Sequence, residues 1–128
     1  MPAAIAPLDS KIDALKCMGD WHVQVAIPTP FDKQAHNGLE HYEWDEKAKR
    51  VRVTYTFNDG SFTGKETVVH QVGRVNPKSE NGTKWQVAPI ICCCAIPMWL
   101  DYIIIDIDST DYTYMVCSSP TTSGMAPW

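Results

Sequence analysis

Five cysteines carry the most reactive side chains of this sequence: Cys17, the consecutive Cys92, Cys93 and Cys94, and Cys117. A thiolate can attack an electrophile, ligate a soft metal or close a disulfide, and each use needs a companion. A nucleophile needs a general base held beside it, and no histidine or carboxylate stands at a spacing that places one there. A zinc site needs Cys-x-x-Cys or Cys/His spacings, and the chain has neither. Neighbouring residues of a strand face opposite ways, so Cys92 and Cys93 are badly set to bond to each other. Small buried thiols in a reducing compartment, cytosol or plastid rather than secreted, are one reading. A disulfide through Cys17 or Cys117 is the other.

His22, His36, His41 and His70 are the remaining candidates for acid–base or metal chemistry. His22 and His41 fall on adjacent expected strands and could share a side, but two imidazoles without a third ligand hold a metal poorly. Asp106, Asp108 and Asp111 match a calcium loop only in composition. EF-hand spacing does not follow, and turn and capping roles fit them. Asn81-Gly82-Thr83 is a glycosylation sequon that also spells the tight turn of a hairpin. No catalytic residue, metal or cofactor is assigned.

The elements that must position these side chains are strands. The 128 residues make one domain, spanning 1–128, with 45% hydrophobic and 20% charged residues, as in a globular fold. A formal net charge of -4 argues against a nucleic-acid partner. Strand runs are expected at Gly19 to Ile27, Leu39 to Trp44, Val51 to Phe57, Gly64 to Val75 with a bend at Gly73, Thr83 to Ile91, Trp99 to Asp106 and Tyr112 to Ser118. The cleanest sets Val51, Val53, Tyr55 and Phe57 against Arg52, Thr54 and Thr56, the period-two pattern of a half-buried strand. On Leu39 to Trp44 the same pattern puts Glu40, Tyr42 and Trp44 on one face. Turns fall at the charged cluster Asp45 to Arg50, at Asn58-Asp59-Gly60, at Asn76-Pro77 and at Asn81-Gly82. Asp9 to Leu15, with Ile12 and Leu15 three apart, suits one helical turn plugging a barrel end. No run approaches the roughly 20 apolar residues that span a bilayer, since Val87 to Leu100 is broken by Pro89 and Pro97. Met1 to Ala14 shows no evident signal peptide. Seven strands are complete by Ser118, and Trp128 reads as the start of an eighth. An open sheet edge invites pairing, so either the last strand is truncated or another chain covers the gap.

Cys17-Met18-Gly19-Asp20-Trp21-His22 opens the first strand, and Asp106-Ile107-Asp108-Ser109-Thr110-Asp111-Tyr112-Thr113-Tyr114 joins the last two. From about Leu15 to Trp128 the chain resembles the lipocalins, most nearly their bacterial, plant and apolipoprotein-D-like branch. The resemblance implies an all-β, antiparallel, up-and-down barrel of eight strands, with Gly19 and Trp21 at its closed end. It matches Asp108 to the acidic residue of the family's second motif and Tyr112 to the opening of the next strand. The inward positions of the alternation, Val23, Val25, Tyr42, Trp44, Val53, Tyr55, Phe57, Trp85, Ile103 and Ile105, would then line a ligand cavity or fill the core. Trp128 matches a mouth tryptophan of that branch.

The implied function is non-catalytic binding and transport of a small hydrophobic ligand such as a lipid, sterol or carotenoid. Polar groups at the mouth, Tyr102 or the Thr121-Thr122-Ser123 loop, would orient it. Ile90, Ile91, Ile96, Met98 and Trp99 make the hairpin near the mouth unusually apolar. Such a patch fits contact with a membrane or a partner, or else strands that extend and fold these side chains inward. A structural accessory subunit of a larger membrane assembly is the second reading. A lipid- or pigment-modifying enzyme on the same fold is the third.

Overall fold

The computed structural model describes residues 5–26, 33–91, 94–95 and 98–119. A 3-10 turn, Ala14–Cys17, precedes β1 (Gly19–His22), β2 (Ala35–Asp45), β3 (Arg50–Asp59), β4 (Glu66–Val75), β5 (Lys84–Ile91), β6 (Cys94–Ala95), β7 (Leu100–Ile107) and β8 (Met115–Ser118). Every pairing is antiparallel, and the sheet runs β1-β2-β3-β4-β5-β7-β8 with the two-residue β6 hung on β5. This is the all-β, up-and-down, lipocalin-like architecture. Among the described residues β1 pairs only with β2 and β8 only with β7, so each leaves one unpaired edge. The eighth barrel strand expected at Trp128 lies outside the described residues. No helix among those described is long and apolar enough to cross a membrane.

Local chemistry accounts for the elements. In β3 the alternation buries Val51, Val53 and Phe57 and exposes Arg52. Register carries that face across the sheet: Val53 opposes Tyr42 on β2, and Val51 opposes Gly73 on β4. The β2–β3 turn is the solvated charged cluster expected, with the Asp45 carboxylate accepting from the Ala48 N–H at 3.0 Å and Lys49 at φ +54°. At the β4–β5 turn Gly82 takes φ +76°, and Asn81 Oδ1 accepts from the Thr83 hydroxyl at 2.7 Å. The same Asn81 amide donates to the Leu8 carbonyl at 3.0 Å. Asn81-Gly82 therefore serves as a hairpin turn whose amide nitrogen is engaged.

The N-terminal segment closes one end. The Leu8 N–H donates to the Ile104 carbonyl at 2.8 Å and the Ile12 N–H to the Asn81 carbonyl at 2.9 Å. Asp13 caps the 3-10 turn by accepting from the Leu15 N–H at 3.0 Å. The turn starts later than its sequence pattern: Ile12 and Cys17 enter the core, while Leu15 is 56% exposed. The core gathers Ile12, Cys17, Tyr42, Val51, Val53, Trp85, Ile104 and Ile107. Each such large side chain contributes about 1.5–3 kcal/mol by leaving water.

One expected facing is corrected on β7. Trp85 opposes Tyr102, and Lys84 opposes Ile103. Paired residues share a side, so Tyr102 and Ile104 face the core while Ile103, although buried, faces the other way. An irregularity between Ile104 and Asp106 then returns Ile107 to the core.

Candidate functional site

The closed end is built around Gly19 and Trp21. Gly19 has φ +111°, a conformation that a side chain resists, and this is the physical content of the glycine in the G-x-W pattern. Two residues on, the Trp21 indole N–H donates to the Cys17 carbonyl at 2.7 Å and the ring packs on the core. Trp21 opposes Glu40 in the β1–β2 ladder, and Gly19 opposes Tyr42.

The turn between β7 and β8 is tied by Asp108. Its carboxylate accepts from the N–H groups of Thr110 (3.2 Å), Asp111 (3.3 Å) and Thr113 (3.3 Å), and from the Thr113 hydroxyl at 2.6 Å. Hydrogen bonds to the charged form, the Thr113 hydroxyl foremost, hold this carboxyl below its usual pKa. Tyr112 links the turn to the N-terminal plug: its hydroxyl accepts from the Asp13 N–H at 3.0 Å, and Lys16 Nζ lies 5.7 Å from its ring centroid. Asp108 and Tyr112 thus act structurally at one end of the sheet.

Between the unpaired edges of β1 and β8 lies a cleft of about 960 Å³. Trp21, Val23 and Val25 form one wall, Met115 and Cys117 the other, and Glu40, Tyr102 and Ile105 also line it. The volume is at the upper end of the roughly 300–1,000 Å³ of small-molecule sites. Val23, Val25 and Ile105 all line this cleft, Val25 being 91% exposed. Tyr42, Val53 and Trp85 are committed to the core instead, with Tyr42 6.1 Å and Tyr102 6.5 Å from Trp85 between ring centroids. Trp44 packs at the core margin and donates its indole N–H to Glu46 at 2.6 Å. Tyr55 and Phe57 stack 5.1 Å apart between centroids. Trp128 and Ile96 lie outside the described residues.

At the cleft floor a polar chain interrupts the apolar wall. The Tyr42 hydroxyl donates to Glu40 Oε2 at 2.5 Å and lies 2.9 Å from the Tyr102 hydroxyl. Burial, reinforced by the Glu40 charge, pushes the Tyr42 hydroxyl well above its usual pKa; burial does the same for Tyr102, reinforced first by Tyr42. Burial raises the Cys117 thiol to about 12 and the Cys17 thiol to about 11. Both thiols stay protonated at neutral pH and are poor nucleophiles. Sequence reasoning assigned no role to Glu40, and read Cys117 as a buried thiol or a disulfide partner rather than as part of the cleft lining. The signal was present for Glu40, a carboxylate alternating with Tyr42 and Trp44 on an otherwise aromatic face.

Elsewhere, Asp20 and His41 meet at 2.6 Å on the outward face that His22 shares, as the adjacent-strand placement anticipated. Among the described residues no three His, Cys, Asp or Glu side chains converge on a metal-sized point. At the apolar hairpin Ile91 is 56% and Met98 51% exposed, and Ile90 pairs with Ala95. Trp99 is covered: Arg74 stacks 3.9 Å and Arg50 lies 5.8 Å from its ring centroid.

Two comparisons bear on this geometry. A family model described as a lipocalin-like domain matches residues 12–125, which takes in the plug, the G-x-W strand, the cleft and the Asp108 turn. A comparison with curated proteins gives no match.

Proposed function

The chain belongs to the lipocalin-like family, and from that premise we propose that it binds and carries a small hydrophobic molecule, of lipid, sterol or carotenoid type, in the cleft between β1 and β8. The observation that carries this reading is the cleft itself, a space of about 960 Å³ flanked by Trp21, Val23, Ile105 and Met115. Apolar area taken from water there supplies about 25 cal/mol per Å² before the cost of ordering the ligand. The protonated Cys17 and Cys117 thiols favour a carrier over an enzyme that uses a thiolate.

Native mass spectrometry of the purified protein tests the reading. The expected spectrum holds a non-covalent adduct of a small apolar molecule. Titration with a fluorescent lipid should also saturate at one site and compete with that molecule. A bare mass together with no saturable binding would reject the carrier reading.

A second reading is favoured by the exposed Ile91 and Met98 side chains: the hairpin rests on a membrane or a hydrophobic partner, and the protein serves as an accessory subunit there. A reducing compartment suits its free Cys17 and Cys117 thiols.

A further inference from the structure

Antiparallel topology sorts the connections by end. Neighbouring strands run in opposite directions, so the connections 23–34, 60–65 and 92–99, the last including β6, meet at the mouth. The connections 46–49, 76–83 and 108–114 meet at the end closed by the N-terminal segment. The first two mouth connections are tied together, the Gly60 N–H donating to the Gln34 carbonyl at 2.8 Å.

The two ends differ in chemistry. Each mouth connection presents an apolar side chain to water: Val25 in the first, Phe62 in the second, and Met98 in the third, with Ile91 beside it at the end of β5. Phe62 is 70% exposed and keeps only its edge against His36, 5.4 Å away between ring centroids. The charged residues of the three mouth connections are Asp32, Lys33 and Lys65. The opposite connections hold Glu46, Lys47, Lys49, Lys78, Glu80, Asp108 and Asp111. Among the described residues, the large apolar side chain exposed in those turns is Tyr114, whose ring ends in a hydroxyl. The mouth is therefore the apolar, charge-poor end.

An occupant must meet apolar tips that stand on separate connections with polar stretches between them. A folded partner would have to match each tip, whereas a lipid surface receives any set of tips that reach it together. Charge agrees. Two lysines against one aspartate leave the mouth connections net positive, although the chain as a whole is at -4. Lys33 and Lys65 are both exposed, and an ammonium on a long apolar stem suits the level of lipid phosphates. Asp59 and Glu66, the acids nearest Phe62, belong to β3 and β4 rather than to the loop.

We propose that the mouth docks on a phospholipid bilayer, with Val25, Phe62, Ile91 and Met98 entering it together and Lys33 and Lys65 at the headgroups. This rests on the membrane reading and commits it to lipid and to one orientation. Residues 23–26 also line the cleft, so the docked mouth opens the cleft towards acyl chains and an apolar cargo can enter from lipid.

Flotation with neutral phosphatidylcholine vesicles tests this on the full chain. Val25→Asp and Phe62→Asp should each weaken partitioning about tenfold or more, since burial of such a side chain exceeds one factor of ten. Phe62→Leu stays apolar and should remain within about twofold of the native protein. Leu15→Asp places the same charge on an exposed apolar residue of the closed end and should also remain within about twofold. All three sites are exposed, so melting temperatures should barely move. A second measurement needs no loss of binding: lipid with brominated acyl chains should quench the indole added by Phe62→Trp and leave that of Leu15→Trp untouched. A native protein that does not float removes the membrane reading and the proposal together. Flotation that survives both Val25→Asp and Phe62→Asp, or an unquenched Phe62→Trp, leaves the hairpin on the membrane and overturns the docked mouth. So does an equal loss with Leu15→Asp.

Discussion

Asp108 shows how one carboxylate organises a turn. Its four hydrogen bonds fix Thr110 to Thr113, and Tyr112, at φ +55°, can then reach the Asp13 N–H. Because the folded state binds the ionised form, its pKa is depressed on folding. That contribution is complete above the unfolded value of about 3.9 and is lost as pH falls through the lower folded value. Asp108→Asn should lower the melting temperature at neutral pH and flatten its decline below about pH 4. Asp45 and Glu46, also depressed, carry the same sign and preserve part of the acid sensitivity. Melting curves at a series of pH values decide the matter, and an unchanged acid slope would remove Asp108 from this role.

At the scale of elements, the β3–β4 hairpin depends on a close approach that its sequence does not advertise. A Cβ on Gly64 would stand 1.8 Å from the Asp59 carbonyl oxygen, so the backbone would have to move. The same turn is held by the Asp59 N–H donating to the Lys65 carbonyl at 2.9 Å and the Asn58 amide donating to the Gly64 carbonyl at 3.0 Å. Gly64→Ala should destabilise the fold by about 1–3 kcal/mol in urea titrations and speed hydrogen exchange at the Asp59 amide. Ser61→Ala in the same loop should stay within about 0.5 kcal/mol of the native protein. Equal midpoints for the two variants would show that the approach is not constraining. By contrast, Asn58-Asp59-Gly60 and Asn81-Gly82 were readable as turns because they use residues that tolerate positive φ, as Gly60 and Gly82 show.

For the whole molecule, surface chemistry decides where the protein sits. Ile91 and Met98 are exposed at the hairpin, whereas Trp99 is pinned beneath Arg74. If the hairpin meets a membrane, the double variant Ile91→Asp/Met98→Asp should lose most vesicle association in flotation assays. Trp99→Phe should retain it, because that ring is occupied within the protein. Flotation unaffected by the double variant would leave the accessory reading to the sheet edges. Net charge of -4 makes association with neutral vesicles the cleaner measurement, free of repulsion from anionic lipid.

Much of this protein was decided by local pattern. Alternation in Val51 to Phe57, the G-x-W opening of β1 and the Asp-rich turn before β8 fix the strand set, because period-two burial and turn chemistry are properties of adjacent residues. Tertiary structure decided where the cavity is. Alternation says which side chains share a face, but not whether the space before that face is already filled. Tyr42, Val53 and Trp85 fill theirs, so the open volume falls between β1 and β8. It also decided the facing of β7, where the register beside β5 turns Tyr102 and Ile104 inward and Ile103 away. And it turned Glu40 from one more polar position into the acceptor of the Tyr42 hydroxyl, which itself meets the Tyr102 hydroxyl only when β2 and β7 are brought together.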